Sequence, residues 1–237
     1  MTVSNAAPEA PPLAIFDLDG TLVDTAPDLT GSLNHCLARK AMAPVTLDMV
    51  RPHAGHGSRA MLKAAYGWAA RDLADDELED QVACFLSFYE ENIARHSLPF
   101  PGAVDALDRL RDAGFLLAIC TNKSERLARL LLDSLGLSAR FAAIAGFDTF
   151  AARKPDAIHV AGTIEQAGGS PSRAVMIGDT RTDTSAARNA GIPSILMAFG
   201  YDANAQARAE ASHVAGDYDE VTPELVHKLW REHALAG

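Results

Sequence analysis

Leu13-Ala14-Ile15-Phe16-Asp17-Leu18-Asp19-Gly20-Thr21-Leu22-Val23-Asp24-Thr25 is an apolar run that ends abruptly in carboxylates. Four apolar residues bounded by polar ones predict a short buried strand. Asp17 and Asp19 are two apart, so on an extended chain both side chains leave the same face, and Gly20 lets the backbone turn straight afterwards. Crowding two carboxylates is unfavourable unless a cation binds there or one group keeps its proton, and either outcome is chemically useful. A calcium loop would need glycine at its sixth position and glutamate at its twelfth. Here the glycine is fourth and no such glutamate follows, which argues against that reading.

Outward from this stretch, the 237 residues are 48% hydrophobic and 22% charged, a composition of soluble globular chains long enough to bury a sizeable core. The formal charge of −10 argues against a nucleic-acid surface, which needs clustered Lys and Arg. It also repels anionic substrates, so a phosphate ester would need local cations to overcome that field. Residues 1–12, rich in Ala and Pro, read as a mobile arm without a signal-peptide core, and no stretch approaches a membrane span. Cys36, Cys84 and Cys120 are odd in number and widely spaced, which predicts free thiols, a cytoplasmic setting and no zinc site. Cys120 reads as a small buried hydrophobe.

Helical spacing dominates the next segment. Leu29, Leu33 and Leu37 follow a Thr25 or Ala26 start reinforced by Pro27; Met61, Leu62 and Ala65 follow Gly57; Leu78, Val82, Phe85, Tyr89 and Ile93 follow the acidic Asp75-Asp76-Glu77. Nothing from Ala26 to His96 reads as a strand, and Pro99-Phe100-Pro101-Gly102 closes the segment. Helices and short apolar runs then alternate: strands over Phe115–Cys120, Phe141–Ala145, Ala174–Ile177, Ser194–Ala198 and His213–Ala215, with helices marked by Leu107 and Leu110, by Leu127 and Leu131, by Ile158, Ala161 and Ile164, by Ala186 and Ala190, and over Pro223–His233. The pattern predicts an α/β fold: a parallel-sheet, Rossmann-like core with a smaller all-helical cap domain inserted after the first strand. The expected boundaries are 13–25 and 99–237 for the core and 26–98 for the helical insert.

Ligands of such sheets bind at the carboxyl ends of the strands. Asp17 and Asp19 follow the first strand, Thr121-Asn122 the second, Arg153-Lys154-Pro155 the third, and Gly178-Asp179-Thr180 with Asp183 the fourth. Taken singly, each has a plain explanation: a strand-end turn, a helix cap, a solvated lysine, a first-turn acid. Together they bring carboxylates, a hydroxyl and a lysine to one edge. Hard oxygen ligands too few for a closed calcium cage suit Mg²⁺, and the whole set has the parts of phosphoryl transfer.

Asp17-Leu18-Asp19-Gly20-Thr21-Leu22-Val23-Asp24, Thr121, Lys154-Pro155 and Gly178-Asp179-Thr180-Arg181-Thr182-Asp183 resemble, in order, the four motifs of the haloacid dehalogenase superfamily, and the helical insert resembles its cap. The resemblance implies a phosphatase with Asp17 as nucleophile and Asp19 as acid and base. It further implies Mg²⁺ on Asp17, the backbone carbonyl of Asp19, and Asp179, with Asp183 behind them. Thr121 and the Asn122 N–H would hold phosphate oxygens, and Lys154 would bridge Asp17 and phosphate. An aspartate at position 19 argues against a dehalogenase, whose leaving group needs no proton. Phe16 to Leu29, Thr121-Asn122-Lys123, Phe100-Pro101-Gly102 and Gly55-His56-Gly57 are similar to phosphoglycolate phosphatases, with Arg59 or His56 in the cap as candidate holders of the substrate's carboxylate. One departure is Ala157, where the family usually has a second proline. The implied partner is a small phosphorylated metabolite, acting on a monomer or homodimer. Phospho-sugar phosphatases or mutases, pyrophosphatases and a non-catalytic phosphate-binding regulator are the alternatives.

Overall fold

Six parallel strands in the order β5-β4-β1-β6-β7-β8 form the sheet of this computed structural model, which describes residues 10–236. They are β1 (Leu13–Phe16), β4 (Leu116–Cys120), β5 (Ala143–Ala145), β6 (Ala174–Gly178), β7 (Ser194–Met197) and β8 (His213–Ala215). β1 is fully buried and lies between β4 and β6, with Phe16 level with Ile119 on one side and Ile177 on the other. Strand ends carrying Asp17, Thr121 and Asp179 are therefore neighbours. Most of the arm expected over residues 1–12 lies outside the described residues. The third expected strand is shorter than its apolar run, its register with β4 beginning at Ala143, although the Ala142 N–H already donates to the Leu117 carbonyl at 2.8 Å.

Two apolar clusters line the sheet. One face packs Phe16, Leu117, Ile119 and Ile177 against α5 (Ala103–Asp112), α6 (Glu125–Ser134) and α10 (Pro223–Ala236). The other packs Ile15, Ala118 and Met176 against α7 (Ala157–Gln166) and α8 (Arg181–Asn189). Burying each large side chain contributes about 1.5–3 kcal/mol, which fixes the strands in register. The buried face of α7 is not the expected one: Ile158 and Ala161 face outward, while His159, Val160, Thr163 and Ile164 are buried. His159 is drawn inward because its Nδ1 accepts the Lys154 backbone N–H at 3.0 Å. In place of the second proline, Asp156 caps α7 by accepting the Ile158 N–H at 2.9 Å. A short α9 (Ala205–Glu210), absent from the sequence reading, connects β7 to β8.

Between the first strand and the rest of the sheet, the chain leaves through β2 (Val23–Asp24) and returns through β3 (Leu98–Pro99), which pair antiparallel. This two-residue ribbon was not anticipated, being too short to register as a period. The intervening cap carries α1 (Ala26–Arg39), α2 (Leu47–Val50), a 3₁₀ turn over Arg51–His56, α3 (Ser58–Trp68) and α4 (Asp75–Glu91). Leu29, Leu33, Leu37, Met61, Leu62, Leu78, Phe85 and Tyr89 are buried in a cluster of its own, to which the core adds only Leu127 and Tyr201 among the buried members. Tyr201 ties the two units together. Its hydroxyl accepts the Ala26 N–H at 2.8 Å, capping α1, and donates to Asp24 at 2.8 Å.

Candidate active site

Asp17 stands immediately beyond β1, its N–H donating to the Ile177 carbonyl at 2.8 Å and so continuing the ladder by one residue. Asp17, Asp179 and Asp183 offer carboxylate oxygens within 4.8 Å of one another. Lys154, 2% exposed, reaches into this group with Nζ 2.6 Å from Asp183 Oδ1 and 3.0 Å from Asp17 Oδ1. Asp183 Oδ2 accepts from the backbone N–H and hydroxyl of Thr180, forming a capping box at the start of α8. Asp179, fully buried, accepts from Thr21 Oγ1 at 2.8 Å and from the Tyr201 N–H at 2.7 Å.

The electrostatics of this group are unbalanced. Burial, opposed by Lys154 and reinforced by Asp183 and Asp19, pushes the Asp17 carboxyl up to about 6. Burial, with Asp183 and Asp17 adding to it, also raises Asp179 well above the carboxylate range. Lys154 is raised as well, the pull of Asp17 and Asp183 outweighing the opposing effect of burial. Three carboxylates face one ammonium, so ionising all three without a further cation is disfavoured, in line with the upward shifts of Asp17 and Asp179. Asp17 Oδ1 is buried, with Lys154 Nζ at 3.0 Å but no well-aligned hydrogen bond among the described residues. Three hard oxygen donors gathered around one ammonium fit a divalent cation such as Mg²⁺.

Asp19 is turned away from that group. Its carboxylate accepts from Thr25 Oγ1 at 2.6 Å and from Lys123 Nζ at 2.9 and 3.0 Å, one to each oxygen. The two aspartates of the opening stretch thus have separate lysines: Lys154 for Asp17 and Lys123 for Asp19. Lys123 lies 4.7 Å from the ring centre of Tyr89, on cap helix α4. Thr25, the N-cap of α1, places its hydroxyl on Asp19 and makes no side-chain cap. Thr121 is buried at the end of β4, its hydroxyl oxygen accepting the Lys123 N–H at 3.2 Å. The Asn122 side chain donates to the Lys154 carbonyl at 3.0 Å, joining the β4 and β5 loops.

A cavity of about 880 Å³ opens between sheet edge and cap. Asp17, Asp19, Thr121, Asn122, Lys123 and Lys154 line its floor, and His56, Arg59, Lys63 and Tyr89 its roof. All the expected core residues converge except that Asp179 and Asp183 lie behind Asp17 and do not line the cavity itself. Of the cap candidates, Arg59 spends its guanidinium in a two-point ion pair with Glu79 of α4. Lys123, Tyr89, Thr21, Thr25 and Tyr201 were given no place in the site by the sequence. Lys123 had a usable signal in its place beside Thr121-Asn122 just past the end of β4, the edge where the motif residues collect, whereas Asp17 and Asp19 lie past the extended part of β1 and do not share one face.

The haloacid dehalogenase-like hydrolase family model matches residues 14–197, and the chain belongs to that family. Among its relatives, a phosphoglycolate phosphatase of Agrobacterium fabrum is 47% identical over 226 residues, covering 95% of this chain and 97% of that one. Another from Mesorhizobium japonicum is 46% identical, covering 93% and 97%. The crystal structure of a predicted phosphoglycolate phosphatase from Haemophilus somnus superimposes with a TM-score of 0.81 at 27% identity, covering 88% of this chain and 95% of that one.

Proposed function

We propose that this hydrolase is a Mg²⁺-dependent phosphomonoesterase that works through an aspartyl-phosphate and that its substrate is 2-phosphoglycolate. The observation that carries the chemistry is the division of labour between the two lysines. Asp17 lies beside Lys154 in an electron-rich group, positioned to attack phosphorus, while Asp19 is held two residues away on a separate cation. A carboxylate oxygen of Asp17 forms a bond to phosphorus as the ester P–O bond breaks. Asp19 gives its proton to the leaving alkoxide and then takes one from the water that hydrolyses the acyl phosphate. The Thr121 hydroxyl and the Asn122 N–H hold phosphate oxygens, and Lys154 offsets their charge.

Asp17, the Asp19 carbonyl and Asp179 are the residues that would hold Mg²⁺, with Asp183 behind them, its oxygens already engaged by Lys154 and Thr180. When bound, the ion supplies charge neutralisation and a fixed orientation for phosphate oxygens. We take residues 26–98 as the cap, hinged at the β2–β3 ribbon, and the cytoplasm as the setting, in keeping with three free thiols. The glycolate assignment draws on the relatives' names and on a cavity rich in cations.

The test is phosphate release with Mg²⁺ across 2-phosphoglycolate, hexose and triose phosphates, nucleoside monophosphates and pyrophosphate. A clear preference for 2-phosphoglycolate is expected. Broad weak activity would overturn the substrate, and no release from any ester would overturn the enzymatic reading in favour of a phosphate-binding protein.

A further inference from the structure

We propose that Lys123 of the core and Tyr89 of the cap together form the subsite that reads the carboxylate of the substrate's leaving group, an inference that rests on the phosphatase reading above. Lys123 is a cavity-lining ammonium with three N–H donors, of which Asp19 occupies two directions. Its side chain is 6% exposed, and its remaining direction lies toward Tyr89, 4.7 Å from the ring centre. Above it, Tyr89 is 1% exposed and lines the same cavity, its hydroxyl oxygen facing Lys123 and its hydroxyl proton without an acceptor among the described residues. A buried hydroxyl proton left without an acceptor is destabilising, and a bound acceptor would relieve it. Burial pushes that hydroxyl up to about 12, Lys123 pulling the other way, so it stays a donor.

Position supports the same assignment. The acid Asp19 must face the ester oxygen, and Lys123 is within hydrogen-bond reach of both Asp19 oxygens. In a 2-phospho-carboxylate the carboxyl carbon is two bonds from that ester oxygen, which brings the anion to the ammonium next to the acid. Arg59, the cap cation the sequence suggests for this task, is exposed and already paired with Glu79. Lys123 is paired as well, with Asp19, but it sits on the cavity floor beside the acid, and the Tyr89 hydroxyl above it has no acceptor among the described residues. Because Tyr89 belongs to the cap and Lys123 to the core, a carboxylate bridging them would also favour the closed arrangement of the two units.

The experiment compares kcat/KM for 2-phosphoglycolate and for 2-hydroxyethyl phosphate, which keeps the skeleton and replaces the carboxylate by an alcohol, with Mg²⁺ present. The wild-type chain should prefer the carboxylate by roughly 100-fold, as expected for charge-assisted hydrogen bonds. Lys123→Met should reduce that preference to less than about fivefold, and Tyr89→Phe should reduce it by roughly tenfold. The ratio is the informative quantity, because any loss through disordered Asp19 falls on both substrates alike. If Lys123→Met does not fold, Tyr89→Phe, which removes one buried oxygen, decides the matter. An unchanged ratio in the folded variants overturns the subsite, as does a preference lost in Arg59→Met and kept in Lys123→Met. Inactivity of the wild-type chain on both esters would instead overturn the phosphatase reading itself.

Discussion

A β-carbon added at Gly20 would lie 2.5 Å from an oxygen of Asp179 and 2.6 Å from the Tyr201 ring, where the backbone has φ of +85°. Only glycine satisfies both the left-handed turn and the close approach of these groups. Gly20→Ala is expected to cost about 1–3 kcal/mol and, by displacing Asp179, to lower kcat at least about tenfold. Urea unfolding and steady-state kinetics check the two parts separately. The buried His159 gives a second prediction. Burial and the nearby Lys154 hold its imidazole down at about 4, against an ordinary value of 6.5. The folded state resists the proton that the unfolded chain accepts, so this stabilisation is complete above about pH 6.5 and is lost as pH falls toward about 4. Unfolding midpoints at several pH values should drop more steeply in the wild-type chain than in His159→Gln. A steeper drop in the variant would contradict the account. At this scale the motif residues were legible because they follow successive strands, so that the plain explanation each has alone does not cover the set. His159, Tyr201 and Thr21 were not, since each acts across more than a hundred residues or through the backbone, and neither leaves a period in the sequence.

The elements were mostly legible because their apolar spacings are regular, and the failures are physical. β2 and β3 are two residues each, held by pairing with one another and not by any pattern of their own. α7 is rotated from its apparent apolar face because a buried histidine serves the loop before it. The return strand depends on one side chain: Asp28, 5% exposed in the first turn of α1, accepts from the N–H groups of His96 and Ser97 and from the Ser97 hydroxyl. Asp28→Ala leaves those donors without an acceptor and should cost about 3 kcal/mol, with Asp28→Asn intermediate. Thermal or urea unfolding measures it. A loss below about 0.5 kcal/mol would mean that the ribbon is held by pairing alone.

For the whole molecule, net charge and local field oppose one another. The chain carries −10, yet Arg59, Lys63, Lys123, Arg126, Arg153 and Lys154 line the cavity. Focusing by these cations should make association with a phosphate ester attractive, so raising NaCl from about 20 to about 300 mM is expected to lower kcat/KM severalfold. A rise with salt would show that the overall charge prevails at the cavity mouth. The cap and core were foreseen from the switch between helical and alternating patterns, whereas the pairing of Lys123 with Tyr89 across them could emerge only from their packing. Covalent chemistry at Asp17 is the central step. Mixing the enzyme with Mg²⁺ and 4-nitrophenyl phosphate radiolabelled at phosphorus, quenching in acid and mapping the labelled peptide tests it directly. Label released by hydroxylamine, on the peptide containing Asp17 and absent from Asp17→Asn, is the predicted result; turnover without label, or label that persists in Asp17→Asn, would contradict it.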